Sequence, residues 1–361
     1  SGVWIMAYTT IDKPSDYFNT VLYTGDASSP RTISGVGFQP DWNWSKSRNS
    51  ADYDHNVADS VRGGSAYYLK TNTDVAETGN PAAGYVSSFN SDGYVLTAGG
   101  SNNTNYNNNS TTYVSWNWKA GTSFTNDASS TSIGSIDSAG SVSDISGFSI
   151  VSFTGTGSNG TIKHGLSTAP SMVIIKRRDS SNDWRVGSDG LTNWTKHVNL
   201  NTEAAQSDLA SAFNSTGPTT SVFSVGTSVS TNADGGTYIA YCFSSIKGYS
   251  KVGSYTGNGS TDGTFIYTGF KPAWIMIKRT DNSSGSRWLM LDNKRNTFNV
   301  LNKNILGDAS DAEVDVDRGD FLSNGFKTRS TGTTVNGSGA SYIYMAFAES
   351  PFVTSTGVPA T

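Results

Sequence analysis

The sequence predicts an all-β protein built from three tandem antiparallel β-sandwich modules, jelly-roll or lectin-like, of about 100 residues each, with at most one or two short helices. Three observations support this prediction. A set of landmarks occurs three times in one order, each copy closes on a strand of alternating character, and the composition disfavours long helices. The chain has 39 glycines and only 15% charged residues, which suits turns and short strands better than amphipathic helices.

The repeat is defined by spacing. Each copy opens on an aromatic-Thr-Gly triplet, a proline follows the glycine after fifteen residues, and a lysine follows that proline after six. A Phe-x-x-x-Gly turn and the closing strand come later. The triplets start at Tyr23, Phe153 and Tyr255, the prolines are Pro40, Pro170 and Pro272, and the lysines are Lys46, Lys176 and Lys278. A unit of this length is too long for a solenoid repeat and fits one small β domain.

The closing strands predict where the cores lie. Successive side chains of a strand point to opposite faces, so alternate large apolar residues should be buried together. Nine of them are expected to line three cores: Val114, Trp116, Trp118, Ile239, Tyr241, Phe243, Ile343, Met345 and Phe347. In the strand after the first repeated proline, Asp41, Asn43 and Ser45 share one face, which is expected to be wet. The corresponding strands of the second and third copies are apolar on that face too, which predicts that both of their faces are covered.

The composition along the chain divides it into six segments. Val3-Trp4-Ile5-Met6 is an apolar run in the first segment, and the stretch from Thr202 to Phe213 has a Thr cap and apolar spacing that predict one short helix. The predicted segments are a lead-in at 1–20, repeat 1 at 21–121, a Ser/Thr/Gly-rich linker at 122–146, repeat 2 at 147–247, repeat 3 at 248–352 and a C-terminal tail at 353–361.

Several function classes are disfavoured. The net charge is −4 and there is no basic block, so nucleic-acid binding is not expected. No apolar run is long enough to predict membrane insertion. The single cysteine, Cys242, excludes an intrachain disulfide. No catalytic motif is found, so neither an enzyme nor a cofactor is predicted.

Three stretches resemble ligand sites and are interpreted more simply. His55 lies near Asp54 and Asp59, where a metal or base is conceivable, but a solvated loop histidine is favoured. In the acidic stretch at 308–320, Asp315 and Asp317 fit the alternating ligands of a calcium loop, but the third position is Gly319 and no Glu closes the loop, so a solvated loop is favoured there as well. The GTGSNG stretch at 155–160 falls in a predicted hairpin turn, which disfavours a nucleotide site. No metal site is predicted.

Aromatic residues without counterparts in the other copies are the candidates for carbohydrate contact, because exposed rings stack on sugar faces. These residues are Tyr53, Tyr106 and Trp194. The alternative, that they are ordinary half-buried aromatics, stays open. Trp184 and Trp288 fall at similar places after the repeated lysine and are interpreted as framework.

The repeated phrases resemble those of a family of tailed-phage structural proteins, of the kind found in marine phages and cyanophages. The resemblance covers about residues 20–352. Separately, the opening phrase Ser1-Gly2-Val3-Trp4 is similar to the junction after a lectin-like domain in such proteins, which implies that more chain precedes it. The phrases are YTGNGS at 255–260, GFKPAWIMIK at 269–278, SDGY at 91–94, TYIAY at 237–241, DSVRG at 59–63 and VNLNT at 198–202.

The resemblance implies a virion protein of the tail fibre or an appendage, made in the host cytoplasm and carrying no catalytic residues. Its implied partners are other virion proteins, further copies of itself as a homo-oligomer (trimeric by analogy with fibres) and a host-surface glycan. The expected arrangement is three modules in a row. The alternatives are a capsid decoration protein, a glycan depolymerase and a secreted bacterial adhesin.

Overall fold

In the computed structural model, the described residues are 8–63, 67–79, 82–99 and 104–359, and they are almost entirely β-strands and loops. The all-β prediction is confirmed. The expectation of at most two helices is wrong, because four are present in the described ranges, although each has only four residues. The apolar run at 3–6 lies outside the described residues. The short helices are a 3-10 turn (Pro14–Asp16), α1 (Thr104–Asn107), α2 (Ala128–Thr131), α3 (Ala210–Phe213) and α4 (Val229–Asn232).

Three consecutive groups of strands, called modules 1, 2 and 3 below, form the sheets. Module 1 comprises β1 (Phe18–Thr24), β2 (Arg31–Ile33), β3 (Trp42–Ser47), β4 (Asn56–Asp59), β5 (Tyr67–Lys70), β6 (Thr78–Gly79), β7 (Tyr85–Asn90), β8 (Gly93–Thr97) and β9 (Thr112–Trp118). Module 2 comprises β10 (Thr122–Asn126), β11 (Ser138–Ser143), β12 (Phe148–Thr154), β13 (Gly160–Lys163), β14 (Met172–Arg177), β15 (Arg185–Ser188), β16 (Lys196–Asn199), β17 (Ser207–Asp208), β18 (Val222–Val225) and β19 (Thr237–Phe243). Module 3 comprises β20 (Ser250–Thr256), β21 (Phe265–Tyr267), β22 (Phe270–Arg279), β23 (Trp288–Asp292), β24 (Leu301–Leu306), β25 (Val314–Leu322), β26 (Gly325–Thr328) and β27 (Ser341–Pro351).

The three modules share one strand order. In each, the closing strand (β9, β19 or β27) lies between the opening strand and the strand after the repeated proline, and all of these pairs are antiparallel. The main sheets run β1-β9-β3-β4-β5-β6 in module 1 and β10-β11-β12-β19-β14-β15-β16-β17 in module 2. Module 3 is one sheet, β20-β27-β22-β23-β24-β25-β26-β21, while β2-β8-β7 and β13-β18 form the smaller sheets of modules 1 and 2.

The segment 122–146, predicted as a linker, is instead part of module 2. Strand β10 pairs with β11, and β11 pairs with β12, which extends the main sheet by two strands. The close pairing of β10 and β11 requires small residues. Gly140, for example, leaves room for the Phe124 ring, because a β-carbon at position 140 would lie only 2.8 Å from the nearest ring atom. The strands contribute backbone hydrogen bonds and little apolar area. Their composition therefore resembles that of a loop.

The nine inward residues of the closing strands are buried, but they line one core and not three. All nine belong to a single cluster that also contains Trp42, Trp184, Trp274 and Trp288, drawn from all three modules. Their rings meet across module boundaries: Trp42 stacks on Tyr241 at 4.5 Å, and Phe243 contacts Phe347 at 6.0 Å between ring centroids. The modules therefore pack around a shared aromatic core and do not lie in a row.

The opposite face of each closing strand covers the module's own interior. In modules 2 and 3 this interior is apolar, with Val173 and Ile175 in one cluster and Ile275 and Ile277 in another. Both faces of these strands are thus covered, as predicted.

In module 1 the same interior layer is polar, and the prediction of a wet face is wrong. Asp41, Asn43 and Ser45 are at most 3% exposed. They are accommodated because they hydrogen-bond to buried partners: Asn43 Nδ2 donates to Asn117 Oδ1 at 2.8 Å, and Ser45 Oγ donates to Asn43 Oδ1 at 2.8 Å. Asp41 accepts from the Ser60 hydroxyl and the Ala120 N–H. Mutual hydrogen bonding replaces solvent for these groups.

The repeated aromatic-Thr-Gly triplet has a common structural role. Its aromatic ring stacks on the first tyrosine of the closing strand, with centroids 4.8–5.1 Å apart in the three copies. Its glycine lies against a neighbouring backbone so closely that a β-carbon would come within 2.0–2.3 Å of a carbonyl oxygen. Only glycine fits such an approach. The stacked pairs are Tyr23–Tyr113, Phe153–Tyr238 and Tyr255–Tyr342, and the glycines are Gly25, Gly155 and Gly257.

The repeated lysines are buried and bind carbonyl oxygens. Lys176 Nζ donates to the carbonyls of Asn182, at 2.7 Å, and of Asp74 in module 1, at 2.8 Å. Lys46 likewise donates to the carbonyl of Ser50, and Lys278 to that of Ser286, both in the loop that follows the strand. Burial lowers the pKa of each of the three amines to about 8. The landmark lysine thus fixes the loop that follows its strand.

The three modules close into a ring. The backbone N–H of Glu77 in module 1 donates to the carbonyl of Arg178 in module 2 at 2.8 Å, and that of Glu313 in module 3 donates to Arg48 in module 1 at 2.7 Å. The N–H of Gln206 in module 2 donates to Thr280 in module 3 at 2.8 Å. The same contact therefore runs from module to module and returns to its start, as in a closed cyclic assembly.

Two of these junctions carry a buried ion-pair network. At the 2–1 junction, Arg62 pairs with Asp59 (2.5 Å) and Glu77 (2.7 Å), Glu77 also pairs with Arg178, and Tyr241 of module 2 donates to Asp59 at 2.7 Å. The 1–3 junction repeats this with other residues. There Arg295 pairs with Asp292 and Glu313, Arg48 pairs with Glu313, and Trp116 donates to Asp292.

The 3–2 junction has neutral residues at all five corresponding positions. They are Ser188, Leu191, Gln206, Thr280 and Met345. Leu191 and Met345 belong to the shared aromatic core. The network is thus either complete or replaced as a unit, which is consistent with the cost of leaving one buried charge without its partner.

The predicted helix at 202–213 forms only at its end, as α3. Tertiary contacts outweigh helix propensity before it: Gln206 makes the junction bond to Thr280, and the Glu203 carboxylate accepts from the Gly285 N–H at 3.2 Å. The tail after β27 turns back on itself between Val353 and Pro359, and Ser355 donates to Asp12 near the start of the chain. No helix of the described ranges is long and apolar enough to cross a membrane.

Candidate functional site

Tyr106, one of the three predicted carbohydrate contacts, is in the interior of module 1. The side chain is fully buried in the cluster that joins the two sheets of this module, and its carbonyl accepts from the Tyr23 hydroxyl at 2.8 Å. A buried ring cannot stack on a sugar in solution. The expectation for Tyr106 is therefore wrong, because the ring is buried together with its neighbours Asn105 and Asn107.

Trp194 and Tyr53 are both half-buried, in different modules. Trp194 packs edge-on against Phe213 at 5.5 Å, lies over Gly187 and Gly217, and donates from Nε1 to Asp189 Oδ1 at 3.0 Å. Its ring is thus largely committed to module 2. Tyr53 lies in the loop before β4 of module 1, so the predicted residues do not assemble into one site.

His55 is fully buried and is not a solvated loop histidine. It accepts at Nδ1 from Trp44 Nε1 at 2.8 Å, which leaves its Nε2 to donate across the 1–3 junction to the carbonyl of Leu306, 3.0 Å away. Burial holds the pKa of His55 well below its usual value. Trp184 and Trp288 occupy the same place in the other modules and donate across their junctions to Lys70 and Asn199. The histidine is thus part of the framework that joins the modules.

The acidic stretch at 308–320 is mostly strand β25 and not a solvated loop. Asp308 and Asp320 are about 5% and 4% exposed, while Asp315 lies outward and pairs with Lys303 at 2.7 Å. Burial raises the pKa of Asp308. Within 8–63, 67–79, 82–99 and 104–359, no group of three or more His, Cys, Asp or Glu side chains could hold a metal ion. The GTGSNG stretch joins β12 to β13, but these strands belong to different sheets and do not pair, so the prediction of a hairpin turn is wrong. The stretch still leads from strand to strand and not from strand to helix.

One aromatic side chain is far more exposed than any other in the described ranges. Phe298 is 83% exposed, whereas Tyr267, Tyr67 and Phe265 are 44–49% exposed. Two of these others are already in contact with neighbours. Lys251 lies over the Tyr267 ring at 5.4 Å, and the Phe265 ring covers Gly325. Phe298 is therefore the most accessible aromatic ring of the described ranges.

Phe298 borders a polar groove of about 450 Å³ on module 3, called the Phe298 groove below. The loop that carries the ring is held firmly by amide side chains. Asn299 donates to the carbonyl of Phe321 and accepts from its N–H, both at 2.9 Å, and Asn296 accepts from the N–H groups of Asn302 and Lys303. The lining residues are Lys271, Asn293, Lys294, Asn296, Thr297, Phe298, Asn299, Leu301, Phe321 and Glu349.

The groove also offers free polar groups. The side chains of Asn293 and Lys294 make no hydrogen bond or ion pair with any residue that the structure describes, and Lys294 is exposed. Lys271 forms a long pair with Glu349 at 3.4 Å on the groove wall. An exposed ring beside free donors is the arrangement by which proteins hold sugars and other amphipathic ligands.

A larger recess of about 670 Å³ lies beside β11 and β12, but it lacks these features. Its walls are mainly serine, threonine and glycine, and its one ring, Phe153, is buried. The guanidinium at its edge, Arg178, is already paired with Glu77. The Phe298 groove is accordingly the better candidate.

Comparison of the modules shows why sequence reasoning missed Phe298. The sequence segment between the junction arginine and the next paired strand position has six residues in module 1 (63–68, before Leu69) and nine in module 3 (296–304, before Ile305). Phe298 is three positions after Arg295, as Trp194 is three positions after Leu191. The signal was a longer loop between two repeated positions, which becomes visible only when strand pairing aligns the copies.

No curated protein and no solved structure matches this chain at a significant level. A family profile, described as a domain of unknown function (DUF7483), matches residues 13–351. This range includes all three modules and every junction between them. The chain therefore belongs to the DUF7483 family.

Proposed function

We propose that this protein is a structural component of a tailed-phage particle, located in a tail fibre or appendage, where it contacts the host surface or holds the fibre together. The repeated phrases that resemble those of phage structural proteins are the origin of this proposal. The observation that carries it is the shared aromatic core, because one core and two buried ion-pair networks make the three modules a single rigid body.

Rigidity suits a part that transmits force and presents a surface. Loops placed on packed sheets can recognise a partner without moving, which keeps the entropic cost of binding low. The proposed partners are other virion proteins, further copies of this chain and a host-surface glycan. The proposed activity is binding without catalysis.

The test is the location of the chain on purified phage particles. We expect it to copurify with particles through a density gradient, and antibodies against it to label the tail and slow adsorption to host cells. Labelling of the capsid would favour the alternative of a decoration protein. Absence from the particles would refute the proposal, and shortening of host polysaccharide by the pure protein would refute the absence of catalysis.

A further inference from the structure

We infer that the Phe298 groove is a carbohydrate-binding site for an acidic sugar unit, a hexuronate, within a surface polysaccharide. The inference deepens the proposed function, since it names the chemical class that the attachment surface would recognise. It depends on the exposed ring, the free cation and amide beside it, and the difference between module 3 and its two sister modules.

The ring of Phe298 has no role in folding that its contacts reveal. It is 83% exposed, and it belongs to none of the hydrophobic clusters. A large apolar side chain held in water by an ordered loop gains free energy when a ligand covers it. The C–H face of a pyranose is such a ligand, because it is flat, apolar and about the size of the ring.

The polar groups of the groove select the rest of the ligand. Lys294 has no anionic partner in the described ranges, and Asn293 has an unused amide. Counting Lys271 (+1), Lys294 (+1) and Glu349 (−1), the charged groups of the groove sum to +1. An ammonium group binds a carboxylate more strongly than a hydroxyl, and an amide can bridge neighbouring sugar hydroxyls. A sugar that carries a carboxylate therefore fits better than a neutral one.

Neither sister module has an exposed aromatic ring at the position that corresponds to Phe298. The corresponding position of module 2 is Trp194, which is packed on Phe213, and that of module 1 is Ser65. The three extra residues of this segment in module 3 thus accompany the most exposed ring of the described ranges. Module 3 keeps the framework of the other two modules but has an apolar ring, Phe298, on its surface. This ring packs in none of the hydrophobic clusters.

The probes are methyl β-D-glucuronide and methyl β-D-glucoside. They differ only at C6, which is a carboxylate in the glucuronide and a hydroxymethyl group in the glucoside. The full chain with labelled leucine methyl groups is titrated with each, and the methyl signals of Leu301, which lines the groove, are followed by NMR. We expect saturable shifts with the glucuronide at millimolar concentration and at least about threefold weaker binding of the glucoside, the size of one exposed charge contact.

Three variants make the test specific. Phe298→Ala should weaken glucuronide binding about tenfold, the magnitude of a lost stacking contact. Lys294→Gln should reduce glucuronide binding to the level of the glucoside. Phe265→Ala is the matched control, since it removes an exposed ring on β21 outside the groove, and it should leave binding unchanged.

Each other result would overturn the inference. Absence of a saturable shift with either sugar up to about 100 mM, where even the weakest specific contacts register, would show that the groove is not a sugar site. Binding that survives Phe298→Ala would place the site elsewhere, and equal binding of the two sugars would refute the acidic class. These results do not depend on phage particles, so failure here is distinguishable from failure of the virion location.

Discussion

Replacing Arg62 by leucine tests the ion-pair network of the 2–1 junction. The Arg62 side chain is 1% exposed and contacts Asp59 at 2.5 Å, Glu77 at 2.7 Å and the carbonyl of Val57 at 3.1 Å. Its removal leaves Asp59 buried, with the Tyr241 hydroxyl as its remaining side-chain donor. Breaking a buried pair from one side costs about 3–5 kcal/mol, so we expect the free energy of unfolding to fall by that amount.

The 3–2 junction supplies the matched control, because it has serine and leucine where the 2–1 junction has Asp59 and Arg62. The double variant Asp59→Ser, Arg62→Leu copies that natural solution and leaves a hydroxyl to accept from Tyr241. We expect it to lose only about 1–2 kcal/mol, less than Arg62→Leu alone, since no buried charge is left without a partner. Lys13→Met removes an exposed pair whose lysine is 72% exposed, and it should cost below about 1 kcal/mol.

The assay is equilibrium unfolding in urea, followed by the fluorescence of the nine tryptophans. A double variant that is as unstable as Arg62→Leu, or less stable, would refute the view that the network is conserved or lost as a unit. So would an Arg62→Leu variant that loses no more than Lys13→Met.

Three further predictions concern the shared core, two buried histidines and a junction hydrogen bond. Because the modules share one core, calorimetry should show one cooperative transition, and three separable transitions would contradict that core. Burial lowers the pKa of His164 and His197 to about 4, so the unfolded chain binds more protons than the folded chain between pH 6.5 and 4. The free energy of unfolding should therefore be at its full value above pH 6.5 and lower by about 2 kcal/mol per histidine at pH 5. His164→Gln should flatten this pH profile, measured by urea titration at each pH. Trp184→Phe, which loses a junction hydrogen bond, should cost about 1 kcal/mol more in urea than Trp274→Phe, whose indole N–H has no partner in the described ranges; equal costs would argue against the bridge.

Features with a period of two residues were predictable from the sequence. The closing strands and their nine inward residues follow from alternation, and the repeated lysines and glycines follow from spacing. Burial of a face, however, does not reveal what covers it. Trp116 and Met345 occupy equivalent alternating positions in their closing strands, which predicts burial but not the neighbour. Only the closed ring of modules shows that both side chains belong to one core.

Segments that depend on backbone pairing or distant contacts were not predictable. Strands β10 and β11 consist largely of small polar residues, so their hydrogen bonds leave no hydrophobic signal. Gln206 abandons a helical pattern for a bond to Thr280, which is 74 positions away. For the candidate site, Tyr106 was misjudged because a polar loop can fold inward, and Phe298 was missed because its exposure follows from loop length and not from residue type.

The closed ring of three unequal modules has a consequence for valency. In a homotrimer every surface residue is presented three times, whereas covalent fusion lets one third of the ring diverge while the others keep the assembly intact. Phe298 is therefore displayed once per chain. In the proposed virion role, any gain in avidity on a cell surface would come from the number of chains carried by each particle, and a weak single contact would become strong only through such an array.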